Sequence, residues 1–301
     1  MDGILNLFKP SGMTSHDVVA QVRRLLRQRR VGHAGTLDPM AQGVLPICVG
    51  QATRVAKYLS ESGKAYRATL IFGAVTDTYD AEGAIIHTAN TDTLTREKLE
   101  EILPQFAGEQ MQVPPRYSAI KLHGKPAYSR ARAGEDITLE ARPVTIYTLT
   151  LLNWQPPSAE LLIECSKGTY IRSLAYDIGE RVGYGAYLAA LIRTRSGPFS
   201  LSESITLEQL AEAATSGTVS AYLYPADKAL EQYPALHLDA QTAERVRHGN
   251  AFQHDQRGGT GMLARIYNES GTFLAIAQWN DQDERWQPIK VFSEGEASSG
   301  R

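Results

Sequence analysis

Apolar residues along this chain change their spacing several times, and each change marks an element. Ile4 to Phe8 reads as a short strand that stops at Lys9-Pro10, with Ser11-Gly12 as the turn. Thr14 or Ser15 can then cap a helix whose apolar positions, Val18, Val19, Val22, Leu25 and Leu26, share one stripe while arginines occupy the other faces. An apolar run from Gly43 to Val49 follows, and Ala52 to Leu59 reads as a short helix. Alternation from Tyr66 to Phe72 predicts a strand with one buried face, and Leu94 to Leu103 predicts an amphipathic helix ending near Pro104.

Two strand-like stretches, Ile137 to Trp154 and Glu160 to Cys165, flank the turn Gln155-Pro156-Pro157-Ser158. Tyr170 and Arg172 end a strand in this reading, a helix begins at about Ser173, and Gly183 closes it. Ile205 to Thr215 is another amphipathic helix, and Leu223 to Asp227 is a linker. Beyond the linker, Ala235 to Gly249, the hairpin ARIYNESGTFLAIAQW and the run WQPIKVF form a small strand-rich unit. Residues Glu294 to Arg301 are small and polar, and a mobile tail is expected there.

Composition narrows the class. A chain of 301 residues with 43% hydrophobic and 21% charged residues suits an ordinary globular protein of about two domains. It contains no apolar run of about 18 residues and opens without a secretory leader pattern, so a cytoplasmic protein without a membrane partner is expected. Cys48 and Cys165 lie in apolar surroundings with no metal-ligand spacing around them, so they read as reduced core residues and no metal is expected. The net charge of -2 offers no general attraction to nucleic acid. Basic residues nevertheless crowd two segments, Arg23 to Arg30 and Arg116 to Arg132, each of which can be a local nucleic-acid footprint or a solvated face.

The segment from Gly32 to Gly43, GHAGTLDPMAQG, concentrates the candidate chemistry. Pro39 biases Asp38 toward extended backbone, so its carboxylate can project from a loop; the same residues also suit a plain turn. The segment resembles the G-H-x-G-x-L-D-P motif of the TruB family of pseudouridine synthases, in which the aspartate is catalytic. Further motifs resemble that family in its order: GILNLFKPSGMTSHDVV at the start, Lys64-x-Tyr66, the stretch from Pro114 through Tyr117 and Lys121 to Gly124, and KGTYIR ending at Arg172.

The resemblance implies an α+β pseudouridine synthase fold, a mixed and largely antiparallel sheet with flanking helices around a central cleft. It implies a catalytic domain over residues 1–227 and a small β-rich, PUA-like RNA-binding domain over 228–293. It also implies a reaction: uridine 55 in the T-arm loop of tRNA becomes pseudouridine as the bond from C1′ to N1 breaks and C1′ rejoins at C5. Asp38, Arg172 and Tyr66 map onto the catalytic positions, Arg172 pairing with the aspartate and Tyr66 lying against uracil. Leu191, on the family's following apolar helix, maps onto the wall of the uracil pocket. Tyr170, Tyr117 and Lys121 are assigned to substrate contact.

Lys9 reads equally as a phosphate contact or a solvent-facing strand end, and His33 either contacts the opened RNA or is a satisfied loop histidine. An isomerisation needs no cofactor. A monomer acting on tRNA without a guide RNA is expected. Two other classes stay open, a non-catalytic RNA-binding module and a glycosidic-bond hydrolase that pairs Asp38 with Asp77 or Asp80.

Overall fold

The computed structural model describes residues 1–118 and 139–292, together with the backbone of 121–122 and 125–126. The expected mobile tail, and the side chain of Lys121, fall outside the described residues.

A ten-stranded sheet dominates the fold. From one edge it runs Leu223–Tyr224, Gly3–Lys9, Gln42–Val49, Ala186–Ser196, Lys64–Phe72, Ser158–Cys165, Arg142–Gln155 and Gly108–Gln112; the short strands Val31–His33 and Phe199–Ser200 pair off this path. Every pairing among these strands is antiparallel except one, where Ile192 and Arg193 run parallel to Gln42 and Gly43. This is the mixed, largely antiparallel α+β sheet expected. Its parallel contact matters because the Asp38 loop springs from the end of that very strand.

Local chemistry explains the framing helices. Thr14 caps the helix Ser15–Leu25 through a capping box with Asp17, and Val18, Val19 and Val22 are buried against Leu5, Leu45 and Ile47 of the sheet. The helix Ile171–Val182 packs on a separate cluster, its Leu174, Ala175 and Ile178 grouped with Leu161, Ile163 and Leu188. Gly183 ends it in the left-handed conformation at φ 87°, as anticipated. Gly179 permits that helix to sit close: a Cβ there would lie 2.1 Å from the backbone nitrogen of Ala186.

Three sequence expectations need correction. The helix begins at Ile171, with Tyr170 at its N-cap, so Arg172 stands in the first helical turn rather than at a strand end. Leu191 lies on the strand Ala186–Ser196, hydrogen-bonded into the sheet centre, and not on a helix. Residues 52–55 are 3-10 helix, and the α-helix is only Ala56–Glu61.

A second, four-stranded sheet orders Ala235–Leu238, Leu263–Asn268, Phe273–Asn280 and Arg285–Val291, with the helix Ala240–Arg247 packed on it. Trp286, Phe252, Leu274 and Val246 fill its own core. Its Ile276 and Phe292 also enter a cluster with Ile4, Val55 and Tyr58 of the first sheet's surroundings, so the two sheets share buried surface. Across that seam Arg54 donates to the carbonyl of Val291, and Lys290 donates to the carbonyl of Arg54. Cys48 and Cys165 are free and buried, as expected. Among the described residues, no helix is long and apolar enough to cross a membrane.

Candidate active site

The Asp38 loop is pinned from below by residues 9–15. Ser15 Oγ accepts from the Leu37 amide at 2.9 Å and donates to the Leu37 carbonyl at 3.2 Å. The Pro39 carbonyl accepts from the Gly12 amide at 2.9 Å and from Lys9 Nζ at 3.1 Å. Lys9 is fully buried and also donates to the carbonyls of Pro10 and Met13. Its three donors are therefore spent inside the protein, and neither reading of Lys9 holds: it meets neither phosphate nor solvent. Burial pushes its pKa down to about 8, with the Asp38 charge opposing the shift.

Held this way, Asp38 faces Arg172. Arg172 Nε lies 3.0 Å from Asp38 Oδ2, and its Nη1 lies 3.4 Å from Asp80 Oδ2. The Nε–H is not aimed closely enough at Oδ2 to form an aligned hydrogen bond, so the contact is chiefly ionic. Nη2 donates to the Tyr117 carbonyl at 3.0 Å. Exposure is uneven: the Arg172 side chain is 6% exposed and that of Asp38 39%, so the carboxylate is the open end of the pair. Burial of the surrounding site raises the Asp38 pKa; Arg172 opposes the shift and Asp80 adds to it.

Asp80 is the counter-ion on the far side of the guanidinium. It is buried, and its Oδ1 accepts from Thr78 Oγ1 at 2.6 Å and from the Glu82 amide at 3.1 Å. Asp77 accepts from the Ala84 amide at 2.9 Å and so closes a turn. Neither is a second free carboxylate beside Asp38, which weakens the hydrolase reading.

Asp38, Tyr66, Tyr170, Arg172, Leu191 and Arg193 line one cleft of about 260 Å³. Tyr66 and Leu191 come from adjacent strands, and their side chains are nearly buried. Burial raises the Tyr66 pKa, and the charge of Arg193 opposes the rise, so the phenol remains neutral near pH 7. Tyr170 is fixed by a pair of hydrogen bonds between its backbone and the Gln112 side chain, at 2.8 and 3.0 Å.

His33 stands outside the cleft wall, edge-on to His16 with ring centroids 5.3 Å apart. Its Nδ1 is buried without a hydrogen-bond partner, and burial lowers its pKa, with His16 adding to the effect. Tyr117 contributes its carbonyl to Arg172 and is not part of the cleft wall. Three cleft or near-cleft groups escaped the sequence reading: Lys64, Arg193 and the counter-ion role of Asp80. Arg193 follows Leu191 by two residues, a spacing that places both on one face only when the segment is a strand.

Comparison with known proteins follows the same layout. Residues 23–171 match the profile of the TruB family pseudouridylate synthase N-terminal domain, 172–231 that of the tRNA pseudouridylate synthase B C-terminal domain, and 234–291 that of the pseudouridine synthase II TruB C-terminal region. The chain is 46% identical to tRNA pseudouridine synthase B of Geobacter sulfurreducens, covering 97% of this chain and all of that one. It is 43% identical to the protein of the same name from Pseudomonas aeruginosa, over 97% of this chain and 96% of that one. Among solved structures, one of an H/ACA RNP bound to a substrate RNA containing 2'-deoxyuridine matches with a TM-score of 0.74 at 26% identity, over 97% of this chain and 85% of that one. A Cbf5-Nop10-Gar1 complex matches with a TM-score of 0.74 at 28% identity, over 97% and 84%.

Proposed function

The chain belongs to the TruB family of pseudouridylate synthases, and from that premise we propose that it converts uridine 55 in the T-arm loop of tRNA to pseudouridine. The observation that carries this reading is the Asp38 carboxylate, open to the cleft and held by a buried Arg172 at 3.0 Å. An isomerisation that breaks and remakes a glycosidic bond needs an ionised carboxylate at the sugar and base, able to act as nucleophile or base. Arg172 opposes the desolvation that would otherwise neutralise Asp38, and it fixes which oxygen faces the substrate.

The target base lies within a folded loop, so it has to leave its stack to reach Asp38, at a cost of a few kcal/mol. Tyr66 offers an aromatic face for the extruded ring, and Leu191 closes the apolar wall beside it. Tyr170, at the N-cap of the Arg172 helix, lines the same cleft and contacts the target nucleotide in this reading. His33, neutral at pH 7 and outside the cleft, is assigned in this reading to the part of the loop that the base vacates.

In this proposal residues 1–227 carry catalysis, and 228–293 form a PUA-like unit that adds RNA-binding surface. The protein acts in the cytoplasm as a monomer, without a guide RNA. The test is to incubate the protein alone with an unmodified tRNA transcript and map pseudouridine by base-specific chemistry. One new pseudouridine, in the T-arm loop, is the expected result. Conversion elsewhere, dependence on an added guide, or release of free uracil contradicts the proposal.

A further inference from the structure

We propose that Arg193 is a positioning residue of the reaction, a clamp that closes both ends of the Asp38 loop and ties it to Tyr66. The inference rests on the reading of Asp38 as the reacting carboxylate. Arg193 is 1% exposed. Among the described residues, no carboxylate lies within ion-pair distance of it; the buried guanidinium is held by main-chain carbonyls, with the Tyr66 hydroxyl as a further hydrogen-bonding neighbour.

Those carbonyls are not scattered. Nη2 donates to Gly35 at 3.1 Å and Nη1 to Thr36 at 3.4 Å, on the entry side of the loop. Nε donates to Val44 at 2.7 Å, on the exit side. The main chain of the same residue completes the enclosure. Arg193 pairs with Gly43 in the one parallel contact of the large sheet, and a Cβ on Gly43 would stand 2.3 Å from the Arg193 carbonyl oxygen. Gly43 itself has φ 102°, a conformation that suits glycine. Residues 35–44, with Asp38 near their middle, thus begin and end on a single side chain.

On its other edge Arg193 is the cross-strand partner of Tyr66, and Leu191 lies two residues earlier on the same strand. One residue therefore sets the relative placement of the carboxylate loop, the aromatic face and the apolar wall. An arginine suits the task, since its planar fork reaches three carbonyls at once and stays charged without an anionic partner. A lysine offers a single nitrogen and cannot reach both ends of the loop in the same way.

The test uses the full chain with a T-arm stem-loop RNA. For Arg193→Met, the single-turnover rate at saturating RNA is expected to fall roughly 100-fold, the scale of an ångström-sized misplacement, while the Kd for RNA changes less than about threefold. Arg193→Lys is expected to recover part of the rate and to fold if the Met variant does not. Hydrogen exchange, read by mass spectrometry on the free protein, is expected to quicken across residues 35–43 in both variants but not in Arg172→Met. An unchanged rate, unchanged exchange in the loop, or a rate loss matched by an equal loss of RNA binding would overturn the clamp. If the wild-type protein makes no pseudouridine, the functional reading fails, and the exchange experiment still decides whether Arg193 holds the loop.

Discussion

Asp38 is drawn in two directions, and the balance sets a pH dependence. Burial raises its pKa above the ordinary 3.8, while Arg172 pulls it down. An acid with a raised pKa in the folded state is protonated there to higher pH than in the unfolded chain. The ionised form therefore costs stability, progressively, as pH rises from about 3.8 through the folded value. Asp38→Asn is accordingly expected to have a Tm no lower than wild type at pH 7, a result that scanning calorimetry can check.

In the proposed reaction Asp38 acts in its ionised form, so the acid limb of the single-turnover rate should lie above the usual carboxylate range. Arg172→Met removes the opposing charge, and that limb should move to still higher pH. Arg172→Lys is expected to lose roughly 100-fold in rate, because one ammonium cannot meet Asp38, Asp80 and the Tyr117 carbonyl together. At this scale the motifs were informative for Asp38, Tyr66, Tyr170, Arg172 and Leu191, which were each singled out and fall in one cleft, and less so for His33 and Tyr117, which lie outside its wall. Lys9 was misread because a lysine at a strand end looks solvent-bound until the loop that folds over it is seen. Asp80 was noticed only as a second acid, since nothing in its neighbours announces Arg172 as its partner.

Among the elements, the helix Ile171–Val182 carries Arg172 and must sit close to the strand Ala186–Ser196. Gly179 makes that approach possible, and the atoms a Cβ would meet include the backbone of Gly185 and Ala186, which cannot swing aside. Gly179→Ala should therefore cost about 1–3 kcal/mol through overpacking and move Arg172 with the helix. A Tm lower by several degrees together with slower turnover is expected; a wild-type melt and rate would show that the helix yields without consequence.

The elements that the chain announces are those with local causes. A cap at Thr14 or Ser15 and the valine stripe placed the first helix, the structure choosing Thr14, and Gly183 placed the end of the Arg172 helix. The resemblance put Leu191 on an apolar helix, and the alanines and leucines of AYLAALIRT, good helix formers, give no local sign against it. Its hydrogen bonds to Lys64–Phe72 on one side and Gln42–Val49 on the other override that preference. The start of the preceding helix was misplaced by two residues because Thr169, Tyr170 and Ile171 carry strand-like side chains.

For the molecule as a whole, the two sheets share a buried cluster that includes Ile4, Tyr58, Ile276 and Phe292. Removing residues 234–292 should therefore lower the Tm of what remains as well as weaken RNA binding. The loss in affinity is expected to exceed the loss in single-turnover rate at saturating RNA. Equal affinity of full-length and truncated proteins at one fixed salt concentration would contradict a binding role for the second sheet. The class of the large sheet, mixed and mainly antiparallel, was legible from the family resemblance. Its strand order was not, because Gly3–Lys9 pairs with Leu223–Tyr224, and Gly43 with Arg193, across most of the chain. Such pairings are decided by packing at a distance, which leaves no local trace in the residues concerned.

The central claim is that the Asp38 carboxylate does the chemistry, and its most direct test compares wild type with Asp38→Asn on one T-arm stem-loop. Pseudouridine formation and RNA binding are measured side by side at the same salt concentration. The expected result is conversion of one uridine by wild type, with none by the variant at undiminished affinity. Conversion by Asp38→Asn at a rate near wild type would contradict the claim and move the search to another group in the cleft.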